Sequence, residues 1–263
     1  MHAPLIETWH EVWYKENFTQ YNPVLTLPGF LLERFMPALS DFNIAVSETT
    51  EMRLATLLRV PAEKITVVPN GVDLEKFTAI SVEKKRYGRI LYAGRLERHK
   101  RVDTLIRAYK QLKMTYKDLE LIIVGTGPQE AYLKELAKDL EDVRFYAPMP
   151  YESLTELMKS SWIFVLPSIR EGQGIVLLEA MAAGTPPIAV QAEGSAVSDV
   201  IANNHNGLLV SPGEIEGGIK KLLTDDDLYD HLQRTGLEFV KGYDWATIAE
   251  RTEEVYEKIG GAQ

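Results

Sequence analysis

"WIFVLPSIREGQGIVLLEAMAAGTPPIAV", residues 162–190, decides the fold of this chain. It opens on the apolar run "WIFVLP" (162–167) and passes through a loop holding Glu171, Gly172, Gln173 and Gly174. It continues as "GIVLLEAMAAG" (174–184) and closes on "PPIAV" (186–190). The two short runs have the length and residue types of buried strands, and the segment between them has the length of a helix. Strand, helix and strand in that order make a parallel pair joined by a crossover. Both strands are apolar on both faces, so helices must cover each side of the sheet.

The alternation extends in both directions. "RILYAG" (89–94), "LELIIVG" (119–125), "VRFYA" (143–147) and "GLLV" (207–210) are further strands. "VDTLIRAYKQL" (102–112) sets Val102, Leu105, Ile106, Tyr109 and Leu112 at helical spacing. Helices also cover "QEAYLKELAKDL" (129–140), "YESLTELMKS" (151–160), "SAVSDVIANN" (195–204), "EIEGGIKKLLTD" (214–225) and 243–259. Upstream lies a shorter set. "LIETW" (5–9), "FNIAV" (42–46) and "KITVVPNGVD" (64–73) are its strands. "GFLLERFMPAL" (29–39) is a helix with Pro28 near its start, and Ser47 caps a second over 48–58. Residues 75–88 are polar and linker-like. The expected fold class is α/β, with two Rossmann-like parallel-sheet domains, the first incomplete. Its divisions are 1–75, then 76–242, then a C-terminal helix in 243–263 packing back on the N-terminal part.

Composition narrows the function. The 263 residues hold 38 acidic against 29 basic side chains, a net charge of −9. Sequence-independent nucleic-acid binding needs a broad basic surface and is excluded as a class. There is no cysteine, hence no disulfide and no thiolate metal site. No apolar run approaches the ~20 residues of a membrane helix. "MHAPLIETWHEVW" lacks a charged leader followed by an apolar core, so no signal peptide is expected. The expected location is cytoplasmic, with peripheral contact at the inner membrane face left open.

Ligands of open parallel sheets bind at the carboxyl ends of the strands, and three such ends carry chemistry. "YAGRLERHKR" (92–101) opens with Gly94 and concentrates Arg95, Arg98, Lys100 and Arg101 in an acidic chain. An arginine fork and a lysine point charge beside a helix start suit a phosphate or diphosphate; a solvated charge run is the plainer alternative. His99 is taken as a solvated neighbour of Lys100. At the second end, Glu171 and Glu179 lie eight residues apart across the glycine loop. Glu179 falls among Leu177, Leu178, Ala180, Met181 and Ala182 and needs a partner, either a pair of ligand hydroxyls or an arginine or lysine. The third end, Gly125-Thr126-Gly127, is a partial dinucleotide fingerprint whose third glycine is replaced by Glu130. "TDDDLY" (224–229) reads as a helix cap rather than a metal triad, and Asn17-Phe18-Thr19 as a chance glycosylation triplet.

In order, "VPNGVD", "YAGRLERHKRVDTLIRA", "IIVGTGP", "EGQGIVLLEAMAAGTPP" and "NGLLV" resemble the donor-binding half of retaining GT-B glycosyltransferases of family four. The likeness covers about 42–259 and is strongest in 65–210. "WHEVW" (9–13) looks like the tail of that family's acceptor-side domain. The resemblance implies that Arg95 and Lys100 hold the diphosphate of a UDP- or GDP-sugar and neutralise it as it leaves. It implies that Glu171 meets the transferred sugar. The amides of Gln173, Gly174 and Ile175, with Gly94, Gly127 and Gly172, would line the donor site. Glu179 would accept from the ribose hydroxyls, backbone near Met149 would meet the base, and His10 would stand near the anomeric centre. No cofactor or metal is required, and the acceptor is a glycan or a lipid-linked saccharide.

The sequence departs from the family in two places. Gln173 replaces the aromatic residue often found between the two glycines, and the acceptor-side domain is short. A non-catalytic nucleotide-sugar module that works with a partner chain is therefore the alternative reading. A nucleotide-sugar epimerase is a weaker one, against which the Glu171–Glu179 spacing speaks. The sheet edge near Leu5–Trp9 is also expected to promote self-association.

Overall fold

In a computed structural model, residues 4–13, 23–84 and 88–261 are described. The triplet at Asn17 lies outside them. The chain divides into two compact units, Met1–Gly71 with Trp245–Gln263, and Val72–Asp244. The divisions fall four residues before and two residues after those expected from the sequence. Among the described residues, no helix is long and apolar enough to cross a membrane.

The first unit holds β1 (Ile6–Trp9), α1 (Pro23–Leu39), β2 (Phe42–Ala45), α2 (Glu48–Leu57) and β3 (Ile65–Val67). Its sheet is parallel, with β2 between β1 and β3. Trp9 is buried beside Leu54 and Ile65, and its indole N–H donates to Asn43 Oδ1 at 2.8 Å. Ser47 caps α2 by accepting from the Thr50 amide. Helix α1 starts at Pro23, so Pro28 lies inside it rather than near its start. Ile248, on the C-terminal helix Trp245–Gly260, packs with Ile44 and Val68.

The second unit runs α3 (Leu74–Ala79), β4 (Arg89–Ala93), α4 (Val102–Lys113), β5 (Glu120–Val124), α5 (Glu130–Leu136), β6 (Val143–Tyr146), α6 (Tyr151–Ser160), β7 (Ile163–Leu166), α7 (Ile175–Ala182), β8 (Pro187–Val190), α8 (Val197–Val200), β9 (Leu208–Val210), α9 (Ile215–Thr224) and α10 (Asp226–Phe239). All six strands are parallel, in the spatial order β6-β5-β4-β7-β8-β9. Each of β7 and β8 is buried along its whole length, as the continuous apolar runs require. The order reverses between β4 and β7. A reversal opens a crevice above the two strands, because the loops leaving them run in opposite directions.

Three sequence readings are corrected. The stretch 75–88 is not all linker, because α3 occupies its start, capped by Asp73 and anchored by buried Phe77. The reading that leaves 226–239 without an element also fails, since α10 fills it. Gly236 obscures that helix in the sequence, yet it faces the core, where an added Cβ would come 3.3 Å from Met181 Cγ. Finally, the helical part of 195–204 shrinks to the single turn of α8.

Lys84 ties the segment before β4 into this unit. Its ammonium donates to the Ser161 carbonyl (3.0 Å), the Gly184 carbonyl (2.9 Å) and Thr185 Oγ1 (2.9 Å). Burial, and next the charge of Lys159, push its pKa down to about 7. The unfolded chain therefore binds more protons than the folded one between that value and the ordinary lysine range. The stability tied to this group is present at high pH and is lost as pH falls toward about 7. Urea unfolding of wild type should show stability rising with pH across that window, and Lys84→Met should flatten the rise. Parallel curves for the two proteins would contradict this assignment.

Candidate functional site

The loop leaving β4, residues 94–101, is held from two sides. Tyr92 is fully buried and its hydroxyl donates to the Arg95 carbonyl at 2.8 Å. The loop after β5 lies against it, with Gly94 N on Val124 O (3.0 Å), Leu96 N on Thr126 O (2.9 Å) and Gln129 N on Leu96 O (2.9 Å). A Cβ at Gly125 would stand 1.9 Å from the Gly94 oxygen, and one at Gly127 would stand 2.5 Å from that of Leu96. These two glycines let the loops touch, and that packing, rather than a dinucleotide fingerprint, accounts for their spacing.

The basic patch is a set of paired groups. Arg95 is exposed, and its guanidinium lies 2.9 Å from Glu97 Oε1. The other oxygen of Glu97 is 3.3 Å from His99 Nδ1. His99 is buried, at 7% exposure, which corrects its reading as a solvated residue. Burial, and then the charges of Arg170, Lys100 and Arg95, hold its pKa down at about 4. The ring is therefore neutral at physiological pH and stands against the Glu97 carboxylate. Lys100 reaches across to the loop leaving β7 and meets Glu171 Oε1 at 2.8 Å, with the two side chains only 15% and 12% exposed. The His99 carbonyl accepts from the Ile169 amide at 3.0 Å. The loops at the strand-order reversal are thus joined by one backbone bond and one largely buried ion pair.

The second loop delivers α7. Gln173 is buried, and Gly174 takes φ +82°, a left-handed conformation that glycine adopts without strain. The amides of the first helical turn have no acceptor within the helix and lie at its positive end. Glu179 sits one turn further along α7, half-buried. Burial raises the Glu179 pKa, and the side chain of Tyr151 opposes the rise only in part. Met149, two residues before Tyr151, is half-buried against the core. Arg95 and Lys100 lie on the loop leaving β4, and Glu171 and the glycine loop follow β7, the strand beside it in the second unit. His10 belongs to the first unit, where it is exposed one residue past β1.

Sequence reasoning found the loops but missed two groups that organise them. Tyr151 carried no signal, because α6 and α7 are distant in sequence and pack against each other only in the fold. Glu97 was visible as the one acid in the basic run, though not as a bridge between Arg95 and His99. In the "TDDDLY" stretch, Asp225 caps α10 by accepting from the Leu228 amide at 2.9 Å. Among the described residues, no three His, Asp or Glu side chains are grouped to hold a metal.

Because Glu179 has a raised pKa, the stability it provides is complete below the ordinary carboxylate range. That stability is lost as pH rises through the folded value. Glu179→Gln should therefore be more stable than wild type in urea at about pH 7, with the gap closing toward about pH 4. A variant less stable at neutral pH would show that the charge is welcome there.

The family model described as glycosyl transferases group 1 matches residues 73–239, and the one described as glycosyltransferase family 4 matches residues 1–76. The chain is 31% identical over 232 residues to an uncharacterised glycosyltransferase of Methanocaldococcus jannaschii, covering 81% of this chain and 59% of that one. It is 28% identical over 263 residues to glycogen synthase of Mycobacterium tuberculosis, covering 97% and 63%. The chain thus spans about three fifths of the length of these relatives. Among solved structures, sucrose-phosphate synthase of Thermosynechococcus elongatus aligns with TM-score 0.82 at 23% identity, over 98% of this chain and 68% of that one. Anabaena HepE in complex with UDP and glucose aligns with TM-score 0.78 at 20% identity, over 97% and 72%. At these identities the structural matches speak to the fold, which is of the GT-B type.

Proposed function

The chain belongs to the group 1 glycosyl transferases, and from that premise we propose that it moves a sugar from a nucleotide-diphosphate sugar to a glycan or lipid-linked acceptor, with retention of anomeric configuration. The observation that carries the reading is the Lys100–Glu171 pair at the reversal of strand order. A cation and a carboxylate are held there beside the amides that open α7. Lys100 and the exposed Arg95 bind the diphosphate and offset the charge that builds on it as the glycosidic bond breaks. Glu171 binds hydroxyls of the transferred sugar. The amides of Gln173, Gly174 and Ile175 support sugar and phosphate, Glu179 holds the ribose, and backbone near Met149 meets the base.

Retention then follows a front-face displacement. The acceptor hydroxyl attacks from the side that the diphosphate leaves, and a donor phosphate oxygen takes its proton. With two side-chain cations on the leaving group, the reaction as proposed requires no metal. A relative's complex with UDP and glucose adds support for a uridine donor.

Two variants test the assignment. Arg95→Ala should weaken nucleoside-diphosphate binding by about 1–3 kcal/mol, the scale of a charge-assisted bond. Glu171→Ala should abolish sugar transfer while nucleoside-diphosphate binding largely persists. An unchanged affinity in Arg95→Ala would refute the clamp. Nucleotide-sugar binding by wild type without transfer to any acceptor would favour the binding-module reading instead.

A further inference from the structure

We infer that the outer face of α1 is the contact surface of a homodimer, in which two copies of the chain pack their α1 helices against each other. The inference concerns the first unit and is independent of the donor-site reading. It starts from where α1 carries its apolar side chains.

Helix α1, Pro23–Leu39, turns apolar residues outward. Leu27, Leu31, Phe35 and Leu39 follow one another at steps of four, and Leu32 stands beside that row. All five are exposed, between 43% and 67%. At about 3.6 residues per turn they fall within roughly 140° of the helix circumference. The side turned toward the unit is the more mixed one. There Phe30, Glu33, Met36 and Pro37 are half-buried. Met36 packs on the core of Trp9 and Leu54, and Glu33 accepts from the Trp13 amide. A surface helix of a monomer has the reverse arrangement, with its apolar stripe inward. The same character continues past the end of α1. Asp41 Oδ2 accepts from the Leu5 amide at 2.8 Å, and the Leu5 side chain is exposed too.

Size and charge indicate what covers the face. The five side chains present on the order of 500 Å², more than half of the roughly 800 Å² that each partner gives to a standard interface. Pro28, Arg34 and Ala38, exposed on or beside the same arc, extend it. Contiguous apolar patches of that size mark interaction sites. A lipid surface is the poorer fit. A helix lying on a bilayer carries lysines and arginines along its polar side. In α1 the charged residues are Glu33 and Arg34, and the chain has a net charge of −9. A second copy fits better, because the face is its own complement. It holds no row of charges for a different protein to match, and a two-fold contact requires one patch to suit itself. A row at steps of four forms a ridge that packs into the groove beside the same row on a facing helix. Leu31, Leu32 and Phe35, at the middle of α1, then lie nearest the two-fold axis.

The chain has no cysteine, so one introduced thiol reports on one place. Sedimentation equilibrium of the full chain, from about 1 to 100 µM, should show the mass of two chains toward the upper end. Leu31→Glu and Phe35→Glu should each weaken self-association about tenfold or more, as an unpaired charge does at the centre of an interface. Both should keep the far-UV circular dichroism of wild type, because these side chains are exposed in a single copy. Leu32→Cys should give a two-chain product with a short bismaleimide, and Lys110→Cys, exposed on α4, should not. A wild type that stays monomeric throughout the range would overturn the inference. A dimer that survives both glutamate variants would overturn it as well, since the contact would lie elsewhere. So would a monomer that co-sediments with phosphatidylcholine vesicles, which would give the face to lipid.

Discussion

The Lys100–Glu171 ion pair is the constraint from which the rest of the site follows. Two largely buried charges at 2.8 Å do not exist for stability alone, because the cost of desolvating them can exceed their mutual attraction. What the pair does is set the distance between two loops. The loop after β4 and the loop after β7 leave neighbouring strands at the reversal of order. The pair, with the backbone bond from Ile169 to His99, holds them at a fixed separation. It also gives a largely buried cation and carboxylate a partner each.

Around that pair the side chains form a graded set. Arg95 is the most exposed and is held loosely, by Glu97. His99 behind them is buried and neutral, so it buttresses Glu97 without adding to the positive field. Glu179 lies further along α7, with its charge disfavoured by burial.

The parts legible in the sequence were those governed by short-range physics. Strands β4, β5, β7 and β8 read as unbroken apolar runs because a parallel sheet buries both faces. Gly174 marked the entry to α7 because a left-handed turn favours that residue. What stayed hidden depended on the strand order. The helices that carry Tyr151 and Glu179 come together only in the fold, where α6 packs against α7. His99 looked solvated among charges, yet the β7 loop closes over it. The polar stretch after Asp73 concealed a helix whose single anchor, Phe77, finds its partner in Tyr151. The glycine of α10 packs against a methionine that lies on another helix, a contact that the sequence of α10 alone does not display.

The central claim, that the loops joined by Lys100 and Glu171 form a diphosphate site, is tested most directly by calorimetric titration of the wild-type chain and Lys100→Ala with UDP, GDP and ADP in metal-free buffer. The account predicts micromolar binding of one nucleotide by wild type and a loss of about tenfold or more in the variant, as expected for a charge-assisted contact. Binding of equal strength to both proteins would contradict it.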